Sequence, residues 1–159
     1  SANLFTGSGG QVALGIGAGN TSQGNSSLAL GESAAFNTQG TQSVALGYYA
    51  GANTQGQYSV AIGRQAGEYF QGTGAVAIGS YAGDLQQGNY SIAIGFGAHG
   101  NVLAPGQPNN SIILNATGAN FQVGQANSFV VKPIRDVTSV AGFTVQLYYN
   151  PTTGEIGYK

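Results

Sequence analysis

Cysteine, methionine and tryptophan are missing from this chain of 159 residues, and only 6% of its residues are charged. Without cysteine the chain has no disulfide framework and no thiolate metal site. Lys and Arg together number 4, so the basic surface that attracts nucleic acids or anionic membranes is missing. No apolar run approaches the roughly 20 residues of a membrane-spanning helix. We therefore expect no nucleic-acid partner and no membrane insertion.

A sixteen-residue repeat organises most of the chain. A motif of a branched residue, alanine, a branched residue and glycine occurs six times without insertion, starting at Val12, Leu28, Val44, Val60, Val76 and Ile92. A second alanine column keeps the same register at Ala18, Ala34, Ala50, Ala66, Ala82 and Ala98. A glutamine followed by glycine also recurs every sixteen residues, at Gln23, Gln39, Gln55, Gln71 and Gln87. A fixed period of this kind is typical of solenoid proteins.

The residues of each repeat favour strands over helices. The motif alternates branched and small residues with period 2, and β-branched residues prefer strands. The density of glycine would break a helix, whereas Gly, Asn and Gln suit turns. Sixteen residues accommodate two short strands and two turns. We therefore predict an all-β fold, a parallel β-roll or solenoid of two-strand coils, in which six coils at about 4.8 Å each give a rod of roughly 29 Å.

The alternation within the motif predicts an apolar stripe on the outside of the roll. A two-strand coil is thin, so the alanines should fill it and the branched residues beside them should point outward. Soluble monomers rarely expose such a stripe, so we expect copies of the same chain to cover it. The alternative is a wider, monomeric coil with the branched residues inside. The predicted interface residues are Val12, Leu14, Leu28, Leu30, Val44, Leu46, Val60, Ile62, Val76, Ile78, Ile92 and Ile94.

The Ser-Val-Ala-Ile-Gly repeat, followed by alanine and by a turn glycine, resembles the YadA-like head of trimeric autotransporter adhesins. The resemblance covers about Gln11 to Gly100. Such heads are left-handed parallel β-rolls in which three chains pack on the Val-Ala-Ile-Gly strands. The resemblance therefore implies a homotrimer. Because sixteen residues exceed the commonest bacterial repeat, we expect the outer turns to differ.

The last third of the chain carries a different pattern. Asn110–Ala116 looks like a degenerate coil that closes the roll after the loop of residues 101–109. Phe129–Arg135 predicts a strand, and Val145–Tyr158 predicts a hairpin that turns at Asn150–Gly154. The pattern KPIR…LYYNPTTGEIGY is similar to the segment preceding the self-cleaving intramolecular chaperone of phage and large-virus fibre proteins. That similarity implies a fibre whose three chains are aligned during assembly.

These patterns divide the chain into four regions and give the roll a C-terminal β cap. Residues 1–10 form an N-terminal lead-in or cap, and residues 11–100 form the six-coil head. Residues 101–128 form the closing loop and degenerate coil, and residues 129–159 form the C-terminal strand and hairpin region.

Side chains suited to catalysis are scarce. Glu68 and Asp84 share one repeat position, so they could lie about 5 Å apart as an acid pair or a cation site. We favour two solvated, outward carboxylates. His99, the single histidine, excludes a histidine cluster and is expected to line a turn. The glutamine column is expected to be structural, with side chains bonded from coil to coil. We predict no catalytic residue, no metal site and no cofactor.

The outer surface is the remaining place for function. Exposed aromatic rings beside Asn and Gln suit stacking on sugar faces and hydrogen bonding to hydroxyls. The alternative is that the rings pack against neighbouring chains or cover the seams of the roll. The candidates for receptor or glycan contact are Tyr48, Tyr49, Tyr69, Phe70 and Tyr81.

We arrive at a non-enzymatic, homotrimeric fibre or head segment on the surface of a virus or phage. It would bind a glycan or another receptor of the host cell, with three identical faces adding weak contacts through avidity. A bacterial adhesin head at a cell surface and a purely structural fibre spacer are the alternatives. An ice-binding solenoid would need a flat, regular threonine row, whereas the threonines here are expected to drift in phase, at Thr21, Thr38, Thr54 and Thr73.

Overall fold

The computed structural model describes residues 3–6, 9–99, 106–121, 125–133 and 147–158. Within these ranges the secondary structure is β-strand and turn, and no helix is long and apolar enough to cross a membrane. The strands are β1 (Asn3–Thr6), β2 (Val12–Gly15), β3 (Ser22–Gln23), β4 (Leu28–Leu30), β5 (Thr38–Gln39), β6 (Val44–Leu46), β7 (Thr54–Gln55), β8 (Val60–Ile62), β9 (Phe70–Gln71), β10 (Val76–Ile78), β11 (Gln86–Gln87), β12 (Ile92–Gly95), β13 (Ile112–Asn115), β14 (Phe129–Lys132), β15 (Leu147–Tyr149) and β16 (Ile156–Tyr158).

Each repeat forms one coil with a long strand and a short strand. The long strand carries the branched–Ala–branched motif, and the short strand ends at the repeated glutamine. Successive coils stack in parallel without a register shift, so Val44 lies beside Val60 and Gln39 beside Gln55. The predicted all-β parallel solenoid of two-strand coils is confirmed.

Two sheets result from this stacking. The long sheet has nine strands in the order β1-β2-β4-β6-β8-β10-β12-β13-β14, and the short sheet has five in the order β11-β9-β7-β5-β3. The first pair of the long sheet is antiparallel, because β1 folds back on β2. The next pairs are parallel, and β13 and β14 continue the sheet past the sixth repeat.

Alanine fills the interior of the coils. Both alanine columns are buried, and in Ala29, Ala45 and Ala61 no surface remains accessible. In β13 the same inward position is taken by Ile113, which is also fully buried. The alternative of a wider coil with outward alanines is therefore wrong.

The repeated glutamines brace the coil from within. Gln55 is buried, and its Nε2 donates a 2.7 Å hydrogen bond to the carbonyl oxygen of Val44 in the long strand of the same coil. Equivalent bonds recur in the other coils. The expected ladder of glutamine side chains bonded from coil to coil is therefore largely wrong. Among the described residues, such a bond joins Gln71 Nε2 to Gln87 Oε1 at 3.1 Å. The facing strand offers each amide a carbonyl within reach, so the bond crosses the coil instead.

The motif glycine lets neighbouring coils approach closely. Gly63 has a φ of 124°, a conformation that favours glycine. A Cβ added there would lie 2.8 Å from the carbonyl of Gly79 in the next coil. Backbone conformation and coil spacing therefore both require glycine where the chain leaves the long strand.

The C-terminal hairpin consists of β15 and β16. The two strands pair antiparallel, and the turn closes with a 2.8 Å bond from the Gly154 amide to the Asn150 carbonyl. Residues 101–105 of the predicted loop, residues 134–135 of the predicted strand and residues 145–146 of the predicted hairpin lie outside the described ranges. The four region boundaries remain a prediction.

Candidate functional site

The long sheet presents an apolar outer face. The twelve branched residues that flank the buried alanines point outward, and we call them the outer stripe. Leu14 keeps 41% of its surface exposed and Ile94 keeps 38%. The stripe is longer than the repeat indicated, because Ile112, Phe129 and their neighbours continue its two rows on β13 and β14. The insertion after His99 breaks the sixteen-residue period, which hid this extension from sequence reasoning.

Aromatic side chains cluster at the first corner, the turn that follows each long strand. The rings of Tyr48 and Tyr49 lie 4.6 Å apart between centroids. Two coils along, the Tyr81 ring packs edge-on against Phe96 at 5.8 Å. Between them, Arg64 stacks 4.8 Å from the centroid of the Tyr81 ring and donates a hydrogen bond to its hydroxyl oxygen. Three of the five candidate aromatics therefore share one corner.

The other two candidates lie elsewhere. Tyr69 and Phe70 are exposed beside the short sheet, where Phe70 pairs with Thr54 on one side and Gln86 on the other. The five predicted residues thus form two separate surfaces. The five candidates do not include Arg64 or Phe96, although both occupy the same repeat position as Tyr48.

The acidic pair is more buried than expected. Glu68 is 7% exposed and accepts a 2.6 Å hydrogen bond from Gln65 Nε2. His99 Nδ1 lies 3.8 Å from Asp84 Oδ1. Burial raises the pKa of Asp84, the Glu68 carboxylate raises it further, and His99 opposes both effects. The expectation of two solvated, outward carboxylates is therefore wrong, because the repeat position that carries them turns toward the interior.

The acidic pair lies beside the single histidine near the end of the six coils. Among the described residues, no group of three or more His, Asp or Glu side chains is arranged to hold a metal ion. His99 is buried at the end of the sixth coil. We therefore assign these side chains to the packing of the last coils.

A groove of about 730 Å³ opens beside the end of the short sheet. Its walls come from the fourth and fifth coils, from residues 107–109 and from Ala126. Among the residues that the structure describes, the lining includes no charged residue and is formed by Phe70, Gln86, Gln107, Pro108, Asn109, Ala126 and their neighbours.

The comparisons with known proteins concern the middle of the solenoid. The family model of the YadA head domain repeat matches residues 39–66 in two copies. This segment contains two complete motifs, Val44–Gly47 and Val60–Gly63, in the coils whose stacking is described above. The solenoid contains YadA-like head repeats. No curated protein and no solved structure matches the chain significantly. The similarity of the C-terminal segment to fibre proteins remains a prediction.

Several corners of the YadA-like head repeats hold tyrosine in an unfavourable conformation. Tyr49 and Tyr81 at the first corner have φ values of 55° and 59°. Tyr58 and Tyr90 have φ values of 59° and 55° at the second corner, the turn that follows each short strand. A bulky residue in this region is uncommon and costs on the order of 1 kcal/mol or more. Tyr58 and Tyr90 expose 58% and 65% of their surfaces, whereas Tyr49 and Tyr81 are half-buried and pack against Tyr48 and Phe96.

Proposed function

We propose that the chain is a non-enzymatic, trimeric adhesin-like head that attaches a virion or a cell to a host surface. The outer stripe is the observation that carries the proposal. It joins Val, Leu and Ile side chains of stacked long strands into a continuous apolar face, which a soluble monomer rarely exposes.

A closed ring of identical chains covers such a stripe. Every long strand presents the same two outward positions in register, so the stripe runs parallel to the solenoid axis. A rotation axis along that direction brings equivalent residues of each chain together without leaving an open end. YadA heads generally form trimers, and the matched residues 39–66 include the central part of the stripe.

The attachment role is supported by the family and by the remaining surface. YadA heads are exposed at cell surfaces, bind host surfaces and are typically non-enzymatic. Tyr48 is exposed at the first corner, and Tyr49 and Tyr81 are half-buried there, so part of each ring remains accessible. Three copies of such a surface on one rigid rod raise the apparent affinity for a repeated receptor through avidity. The resemblance of the C-terminal segment favours a viral or phage fibre over a bacterial adhesin.

Two measurements on the purified chain test the proposal. Light scattering on a sizing column should give a mass near three times 16.0 kDa. Fluorescently labelled chain should bind to some members of a panel of bacterial and eukaryotic cells. A monomer at micromolar concentration would contradict the trimer. A trimer that binds no cell would contradict attachment and favour a structural spacer.

A further inference from the structure

We infer that the groove beside the short sheet binds an uncharged sugar unit of a host oligosaccharide. This inference rests on the proposed attachment function and adds to it a position and a class of ligand.

The groove exists because one row of outward side chains stops. Ser22, Thr38 and Thr54 begin this row on the outer face of the short sheet, and Phe70 and Gln86 continue it. At the next step the chain has Gly106, where a Cβ would lie 1.9 Å from the carbonyl oxygen of Gln86. No side chain fits there, so the row ends in an opening next to Gln86.

The lining matches the chemistry of a pyranose ring. Phe70 is 54% exposed and offers an aromatic face on which the C–H side of a sugar can stack. Gln86 is exposed and brings an amide that donates and accepts hydrogen bonds. The volume of about 730 Å³ lies within the usual range for small-molecule sites.

A second amide is held in a fixed orientation at the rim. Asn109 Oδ1 accepts a 2.7 Å hydrogen bond from the backbone amide of Asn89. Its Nδ2 group has no hydrogen-bond partner among the described residues and can donate to a hydroxyl oxygen. Because no charged side chain lines the described walls of the groove, a carboxylated or sulfated sugar would find no ionic partner on them.

The groove stays open in the proposed trimer. The two strands of each coil face each other across the alanine and glutamine interior. The outer face of the short sheet therefore points away from the outer stripe, and covering the stripe leaves Phe70 exposed.

Phe70 also departs from the repeat without a benefit to the coil. Earlier coils place Ser or Thr at this position and form the same parallel pairing. A half-exposed phenyl ring gains little from folding, whereas it provides the largest apolar surface available to a ligand here.

The repeat supplies a matched pair of variants for the test. Phe70→Thr restores the residue found at Thr54, and Tyr58→Gln restores the residue found at Gln42 on the second corner. The wild-type chain and both variants are applied to an array of neutral, sialylated and sulfated oligosaccharides. We expect wild type and Tyr58→Gln to bind a subset of neutral oligosaccharides, and Phe70→Thr to bind them at least tenfold more weakly with an unchanged circular dichroism spectrum.

Three results would overturn the inference: no binding to any neutral oligosaccharide, equal binding by Phe70→Thr, or binding confined to the acidic oligosaccharides. The cell-binding assay with the same proteins separates this outcome from the broader proposal. If wild type and Phe70→Thr bind cells equally, the groove is not the binding site and the attachment function stands. If wild type binds neither cells nor oligosaccharides, both proposals fail.

Discussion

A single charge in the middle of the outer stripe should separate the chains. Leu46 lies in register between Leu30 and Ile62, near the centre of the six repeats. In a Leu46→Lys variant, three ammonium groups would meet around the proposed axis. None of the twelve stripe residues is acidic, so the stripe offers no carboxylate to pair with them.

The exposure of the stripe sets the size of the effect. Leu14 and Ile78 expose 41% and 36% of their surfaces. Full burial of such a side chain is worth about 1.5–3 kcal/mol, so covering the remaining third gains roughly 0.5–1 kcal/mol. Over twelve residues, several of them less exposed, the gross gain is on the order of 5–10 kcal/mol per chain. Burial of one unpaired charge per chain costs several kcal/mol, which removes most of this gain.

Light scattering on a sizing column measures the outcome. The wild-type mass should be near three times 16.0 kDa, and the Leu46→Lys mass should be near 16.0 kDa. Thr38→Lys is the matched control, because it puts the same charge on the exposed outer face of the short sheet and should stay trimeric. A trimeric Leu46→Lys variant would refute the interface, and so would equal dissociation of the control.

Three further predictions concern the coil itself, and thermal unfolding followed by circular dichroism tests each of them. Gly63→Ala should cost about 1–3 kcal/mol because its methyl group meets the next coil, and Gly118→Ala should cost less because nothing lies within 4 Å. Gln55→Ala removes a buried cross-coil hydrogen bond and should cost about 1–3 kcal/mol; unchanged stability would contradict the bracing role. The raised pKa of Asp84 means that its protonated form favours folding, and this contribution is lost as the pH rises through the folded-state pKa. Asp84→Asn should therefore raise the melting temperature at pH 7, and the gain should vanish near pH 3; a destabilised variant at pH 7 would contradict this reasoning.

The coil could be predicted from the sequence because its constraints repeat. Every long strand of the six repeats has a small residue at the position of Ala45 and a branched residue on each side of it. In a thin two-strand coil, one arrangement fits this pattern, with the small residue inside and the branched residues outside. Six copies without an insertion then favour the parallel register, since a slip of one residue would move alanine outward. The outward orientation of the stripe side chains follows from the same alternation.

Features outside the repeat could not be predicted in the same way. The orientation of the Gln55 amide depends on a carbonyl that the fold brings close from eleven residues earlier. The burial of Glu68 depends on a turn toward the interior that periodicity does not specify. The Arg64–Tyr81 contact joins residues seventeen positions apart, so neither residue identifies its partner in the sequence.

Departures from the repeat identify positions where a function can be tested separately from folding. Where several coils have a small or polar residue at one position, the coil folds without a large side chain there. Phe70 replaces the Ser or Thr of earlier coils in such a row. Tyr58 and Tyr90 have positive φ values at the second corner, where a later turn has Asn110, a residue that tolerates this conformation. Each of these aromatics adds exposed apolar surface, and the tyrosines also add backbone strain. For Phe70, the contribution proposed above is contact with a ligand in the groove. Replacing each one by its counterpart in a neighbouring coil separates binding from stability, because the substituted residue is already compatible with this backbone.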